Sequence, residues 1–389
     1  MSGYGRNLAW LLAAMCGACS GEGGGSAGAA DADAEHRIGE PDLVLGNEQA
    51  GLAAEFGGVA GLALDSAGRI FVADAQANEV RVFGPAGDHL YSIGRAGSGP
   101  GEFAGPCCLA FDDAGRLWVR DGGNARYEIF LPGDAAARPA TSVRMSHGDV
   151  NRWAPVTFDA AGRVIDIGFQ PSNGVDVPRT GRMHLDDRGA VARRTLVPAA
   201  PAESLALHTI QRSGTSGVST FYLYQPHGPL ELVAHGAGGE FAHAISSRYS
   251  IAWFDEYGDT LRVIERPGEP GPALSPAERT RAERRIESDI QRLAIPRGQI
   301  PFDVPQRKTP LRTLYFDADG RLWVELSVAD GEDRRAHVYD RDGRLAFSAQ
   351  WPAGIAMQDN AIYGDVALGV ARDSLDVQRV IRLRFRRAR

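Results

Sequence analysis

Two adjacent cysteines, Cys107 and Cys108 in GPCCLAFDDAGRLWVRD, are the only cysteines of the 389-residue chain beyond its first twenty residues. Such a pair can close a disulfide ring, ligate a soft metal ion, or serve as two small buried apolar groups. His227, His235 and His243 recur every eight residues in HGPLELVAHGAGGEFAH, a regularity that raises the question of a metal site. Glycines interrupt that run, so the three fall along one or two adjacent strands. They are read as loop or surface histidines. His147 and His208 have no recognisable motif around them. The folded region has no Gly-x-Ser-x-Gly elbow, no P-loop and no zinc-type Cys-x-x-Cys pair. The glycines of GRAGSGPGEF lead into a strand rather than a helix, which argues against a phosphate cradle. No catalytic, cofactor-binding or metal-ligating residue is assigned on this basis.

Composition narrows the class. Hydrophobic residues make up 43% and charged residues 23% of the chain, which suits a packed domain and excludes global disorder. The formal charge of −7 argues against nucleic acid as a partner, and the basic tail RLRFRRAR reads as a solvated end. Forty-eight glycines and twenty-two prolines imply many turns, as an all-β chain requires.

The first residues carry Arg6 and then the apolar run LAWLLAAMCGA, too short to cross a bilayer as a mature helix. Cys19 and the segment SGEGGGSAGAADADAE follow. This order resembles a bacterial lipoprotein signal, in which a cysteine after small residues is cleaved on its amino side and acylated. Cys19, preceded by Gly17 and Ala18, is taken as the lipidation site. Cys16 is the alternative acceptor, with Met15 in the small-residue slot. An ordinary secretory signal is the competing reading. The expected organisation is a signal peptide at 1–19, a flexible Gly/Ser/Ala tether at 20–35, and a folded region at 36–389.

The elements that must position any site emerge from a repeat. Aligning on Asp-x-x-Gly-Arg gives LALDSAGRIFVAD, LAFDDAGRLWVRD, VTFDAAGRVIDIG and LYFDADGRLWVEL, with Asp65, Asp112, Asp159 and Asp317 in register. The first two intervals are both 47 residues, the size of a four-stranded propeller blade. In each unit the aspartate bonds to the backbone two residues on, and the glycine takes the left-handed turn position. Six residues after each aspartate stands Phe71, Trp118, Ile165 or Trp323, a slot read as packing between blades. Outer hairpins follow in VFGPAGDHLYSIG, HLDDRGAVARRTL, WFDEYGDTLRVIE and VYDRDGRLAFSAQ.

The succession of VAD, EVRVF, an outer hairpin and GSGPGEF resembles the NHL-repeat propellers, most closely over 58–130. Asp121, Asn124 and Arg126 match that family's Asp…Asn-x-Arg turn and are read as capping the turn. In the first unit Glu79 stands where the arginine is usual. The resemblance implies an all-β, six-bladed propeller, with seven blades if 205–235 forms its own unit. The N-terminal strand around HRIGEPDLVLG is expected to complete the last blade and remove an exposed edge. One segment breaks the β rhythm. SPAERTRAERRIESDIQRLAIP has a capping box at Ser275 and Glu278, and Ala282, Ile286, Ile290 and Leu293 on one face. It is read as a helical insertion at 275–294, either a brace on its own domain or a docking helix.

Two functions follow as expectations. The preferred one is a non-enzymatic binding or scaffold module for a protein, peptide or glycan at the propeller face. Such a module would be a monomer without cofactor, lipid-anchored in a bacterial cell envelope on its periplasmic or outer surface. The alternative is a hydrolase or lyase with a divalent ion, calcium or zinc, in the central channel, as some six-bladed propellers are. Cys107 and Cys108 begin the innermost strand of the second blade. Two free or separately buried thiols are preferred there, because an extended strand points neighbours to opposite faces. A vicinal disulfide is the alternative.

Overall fold

Each Asp-x-x-Gly-Arg turn is held by one carboxylate. Asp112 Oδ1 accepts the Ala114 and Arg116 amides at 3.1 and 2.9 Å, and Oδ2 accepts Arg116 Nε at 2.7 Å. Asp65, Asp159 and Asp317 repeat the arrangement. Gly68, Gly115, Gly162 and Gly320 adopt φ of 77, 72, 74 and 75°, a region where a Cβ is disfavoured. The turn therefore sets the register of each hairpin, and the apolar alternation of its strands decides which faces are buried.

The computed structural model describes residues 35–46, 55–131, 139, 141–145, 154–170, 179–201, 204–214, 217–267, 270–300 and 303–388. Blade 1 is the antiparallel set Val59–Leu64, Ile70–Asp74, Glu79–Phe83 and His89–Ile93, and blade 2 is Pro106–Phe111, Leu117–Asp121, Arg126–Phe130 and Thr141–Arg144. Blade 3 holds Ile165–Gln170, Arg179–Leu185 and Val191–Leu196; its innermost segment contributes a single bridge, Phe158 to Val164. A two-stranded hairpin, Leu207–Gly214 with Gly217–Tyr224, follows. Among the described residues it remains a two-stranded unit and makes no seventh blade.

Blade 4 is Glu231–His235, Phe241–Ile245, Ser250–Phe254 and Thr260–Glu265, and blade 5 is Leu311–Phe316, Leu322–Leu326, Arg334–Tyr339 and Leu345–Trp351. Blade 6 is Ala356–Tyr363, Val366–Arg372 and Gln378–Arg387, completed by the N-terminal strand Glu35–Leu45, which pairs antiparallel with the last of these. The first four residues of that strand also pair in parallel with Phe347 to Gln350. The sheet edges of blades 5 and 6 are thereby covered together. The fold is an all-β, six-bladed propeller with one helix.

The slot six residues after the turn aspartate does pack between blades. Phe71 meets Phe111 of blade 2 edge-on at 5.1 Å, Trp118 meets Phe158 of blade 3 at 5.3 Å, and Trp323 meets Phe385 of blade 6 at 5.2 Å. In blades 2 and 5 the indole Nε1 also donates to Oδ2 of the turn aspartate, at 2.8 Å in both. Blade 3 has Ile165 in this slot and so lacks that donor.

The helix runs Pro276–Leu293 with Ser275 as N-cap and Glu278 completing the capping box. Ala282, Ile286, Ile290 and Leu293 are buried. Lys308 pairs with Glu278 and donates to Val328 O at 2.7 Å, and Ser275 donates to Asp330 at 2.7 Å. These contacts pin the helix to the segment before blade 5 and to the loop between that blade's second and third strands. Among the described residues no helix is long and apolar enough to cross a membrane.

Candidate functional site

The innermost strands start on one end of the propeller, here the leading face, and run to turns at the other, which in blades 1, 2 and 5 are the Asp-x-x-Gly-Arg turns. Cys107 and Cys108 lie at the leading end of Pro106–Phe111. Gly105 N just before them donates to Asn78 Oδ1 of blade 1 at 2.9 Å. The strand is irregular at this point: register shifts between Cys107 and Leu109, and Cys108 has φ 53°. Neighbouring side chains are no longer forced to opposite faces. The two sulfurs lie at bonding distance, with Cα atoms 3.7 Å apart. Cys107 is wholly buried and Cys108 half-buried. A Cβ on Gly61 would strike the Cys108 amide, so glycine lets blade 1 approach the bulge.

Asp121, Asn124 and Arg126 clamp the chain that connects blades 1 and 2. Asp121 Oδ1 accepts Ala104 N at 2.9 Å, Asn124 Nδ2 donates to Gly97 O at 2.9 Å, and Arg126 donates to Ser98 O at 3.0 Å and Glu102 O at 2.9 Å. Glu79 and Arg81 exchange places relative to Arg126 and Glu128. The Arg81 guanidinium reaches Asp74 at 3.4 Å, so the same carboxylate–guanidinium contact is made from a shifted position.

A different chemistry fills the contact between blades 3 and 4. With Ile165 in the slot, its cross-strand neighbour His184 supplies the ring N–H to Asp159: Nδ1 faces Oδ2 at 3.1 Å. Arg193 Nη2 lies 2.9 Å from Nδ1 and 3.4 Å from Nε2 of the same ring, and only the unprotonated nitrogen can accept from it. Arg193 Nη2 also pairs with Glu256 of blade 4 at 2.6 Å. Burial works to raise the Asp159 carboxyl, but the Arg163 and His184 hydrogen bonds outweigh it and hold the group below its ordinary range. Burial, with the Arg193 and Arg182 charges, outweighs the Asp159 bond at His184 and holds the imidazole below its ordinary value.

Asp159, His184 and Glu256 offer three ligand atoms within 4.8 Å of one another. Arg163 and Arg193 already neutralise the two carboxylates, at 2.8 and 2.6 Å. A divalent cation would have to displace both guanidiniums, so the donor set does not fit a metal. One pair deeper on the same strand, Arg182 is wholly buried and donates Nη2 to Gly239 O at 2.8 Å. Burial, with Arg193 nearby, pushes its pKa down to about 9, still charged at neutral pH.

The three histidines do not converge. His243 bonds Glu231 Oε1 at 3.0 Å, His227 sits in the turn before Glu231–His235 with φ 61°, and His235 ends that innermost strand. Reading His235 as a loop or surface residue is corrected: it ends an innermost strand, half-buried, with its Nδ1 wholly enclosed. Burial, then the Arg182 and Arg120 charges, hold its imidazole well below the ordinary range and neutral. His208 lies on Leu207–Gly214. Cys16, Cys19 and His147 lie outside the described residues.

A groove of about 620 Å³ opens on the leading face between blades 4 and 5, lined by Arg248, Tyr249, Glu265, Arg266 and Pro310. A second, of about 590 Å³, follows the charged side of the helix past Arg279, Glu283, Arg297 and Asp303. Asn360 of blade 6 donates Nδ2 to Val156 O of blade 3 at 2.6 Å. Blades 3 and 6 are opposite in a ring of six, so this bond bridges the central channel.

A domain family described as a 6-bladed beta-propeller matches residues 57–117. No curated protein matches the chain. Among solved structures, it is similar to selenomethionine-substituted virginiamycin B lyase from Staphylococcus aureus at 13% identity and TM-score 0.42, covering 88% of this chain and 97% of that one. A protein from Bacteroides fragilis whose export is inferred matches at 10% identity and TM-score 0.49, covering 91% and 96%. A calcium-binding protein, regucalcin, from Agrobacterium tumefaciens matches at 10% identity and TM-score 0.38, covering 90% and 97%. Likenesses this remote transfer no activity.

Proposed function

We propose that the chain is an exported propeller, tethered to a bacterial envelope membrane by a lipid on Cys19, that offers its leading face to a protein, peptide or glycan ligand. The observation that carries this reading is the groove between blades 4 and 5. It combines exposed Arg248 with Tyr249, Glu265, Arg266 and three prolines. Charged and aromatic groups on stiff proline-bounded loops suit an extended polar ligand. The bridged channel gives the metal-dependent hydrolase or lyase little room at the axis, and the one three-ligand cluster among the described residues is neutralised by arginines.

Peptide and glycan arrays probed with purified protein test the reading. Binding by the wild type and its loss in Arg248→Glu is expected; binding that Arg248→Glu leaves intact places the ligand elsewhere. Metal analysis of the same preparation tests the alternative, which a stoichiometric calcium or zinc ion would establish. Growth with a labelled lipid precursor tests the tether. Label is expected on the wild type and absent from Cys19→Ser, whereas label that survives assigns the acyl group to Cys16.

A further inference from the structure

Among the described residues Arg182 makes no ion pair of its own, and the Glu256 charge that favours its ionised form is already paired with Arg193. Its Nη2 is used by Gly239 O, and its plane lies over Phe241, 4.4 Å from the ring centre. Among the described residues its Nε and Nη1 are buried without partners, and so is Nδ1 of His235. The carboxylates around it are already taken. Asp159 pairs with Arg163, Glu256 with Arg193, and Asp166 lies 3.6 Å from Arg120. One positive charge is therefore left over in an enclosed space, where an uncompensated ion is costly.

We propose that the space beside Arg182 and His235, between blades 3 and 4, holds a compact monovalent anion, a halide or the carboxylate of a small acid. The unpartnered guanidinium N–H groups point to an acceptor, and the excess of one positive charge sets its valence. Neutral His235 can add an N–H from Nδ1 in one tautomer. A cation is opposed by Arg182 itself. Because His235 ends the innermost strand of blade 4, the anion reaches the site from the channel side. It then ties together the two blades whose apolar contact is thinnest. This site is separate from the leading-face groove, so neither stands or falls with the other.

The test is thermal unfolding of the purified protein at constant ionic strength. A bulky sulfonate is replaced stepwise by bromide in one series and by acetate in another. The wild type is expected to gain Tm to a plateau, as a site that fills must. Arg182→Lys retains a gain, and Arg182→Met loses it while matching the wild type in sulfonate alone. The series that saturates at lower concentration names the halide or the carboxylate as the preferred occupant. A gain that never saturates and persists in Arg182→Met overturns the proposal. Should Arg182→Met fail to fold, wild-type crystals soaked in bromide or acetate decide. An anomalous bromide peak or acetate density beside Arg182 upholds the site, and density that refines as water only in both overturns it.

Discussion

Between blades 5 and 6, fourteen buried apolar residues form one cluster, in which Trp323 lies edge-on to Phe347 and Phe385. Between blades 3 and 4, the corresponding cluster among the described residues is Val197, Phe241 and Phe254. In its place are buried Asp159, Arg182, His184 and Thr195. The two interfaces hold equivalent places in the ring, since each joins one blade to the next. They differ in what happens when water is excluded. Apolar burial is non-directional and tolerates small shifts, whereas a buried polar network stabilises only when every member is matched. A propeller can therefore close with rings of apolar contact and still keep one seam where chemistry, or a ligand, is specified.

The largest effect expected from this contrast is at Trp323. Trp323→Ala removes a fully buried indole and should lower stability by roughly 3–5 kcal/mol in chemical denaturation. Ile165→Ala, the same slot in blade 3, should lower it by roughly 2–3 kcal/mol. Equal losses would mean that the two seams are packed alike. Trp323→Phe keeps a ring but deletes the bond to Asp317, and about 1–2 kcal/mol should go with it.

The turn aspartates reverse that order. Asp112→Ala frees Arg116, itself 40% exposed, and the Trp118 indole; about 1–2 kcal/mol is expected. Asp159→Ala leaves His184 buried without its acceptor and strips Arg163 of its partner; about 3 kcal/mol is expected. If urea midpoints fall equally for both variants, the blade 3–4 network does not depend on Asp159 and the contrast fails.

Much of the fold was legible because the blade is a local object. Asp65, Asp112, Asp159 and Asp317 announce their turns within five residues, and the pairing of the N-terminal strand with Gln378–Arg387 follows from the need to cover an edge. The polar seam was not legible, because its members meet only in three dimensions. Arg182, His184 and Arg193 arrive from an outer hairpin, and Glu256 from the next blade. One signal was present. Ile165 stands where two other blades have tryptophan, which leaves Asp159 in want of a ring N–H, and His184 is its cross-strand neighbour. The bulge at Cys108 was not legible for a different reason: the rule of alternating side chains holds only in a regular strand, and nothing in the local sequence marks where the register shifts.

Acid should weaken the seam between blades 4 and 5, which is intermediate in character. It has an apolar cluster and one half-buried imidazole, His337, whose Nδ1 lies 2.9 Å from the Tyr249 hydroxyl and 3.0 Å from Arg266 Nη1. Burial, then the Arg266 and Arg335 charges, lower its pKa from 6.5 to about 4. The unfolded chain therefore takes up a proton that the folded chain refuses. The contribution is intact above pH 6.5 and is lost progressively as pH falls from 6.5 to about 4. The Tm of the wild type should drop more steeply across that window than the Tm of His337→Gln, and parallel curves would remove His337 from the account.

The smallest effect concerns the bulge that starts blade 2. A bond between Cys107 and Cys108 closes no chain loop beyond its own ring, so it restricts the unfolded state far less than a long-range disulfide does. Its consequence is local: it would hold the left-handed turn at Cys108 against Gly61 of blade 1. We propose that the bond forms in the exported protein. Reduction should then add the mass of two hydrogens to the intact chain, in a Cys19→Ser background that removes the proposed lipidation site. Cys108→Gly, which accepts φ 53° without strain, should shift Tm less than Cys108→Val, which does not. If mass is unchanged on reduction and the two variants behave alike, the sulfurs are free thiols and the turn is held by packing alone. The contrast with Trp323 then becomes one of scale: deleting a ring opens a cavity between two blades, whereas opening the sulfur bridge relaxes two residues at the edge of one.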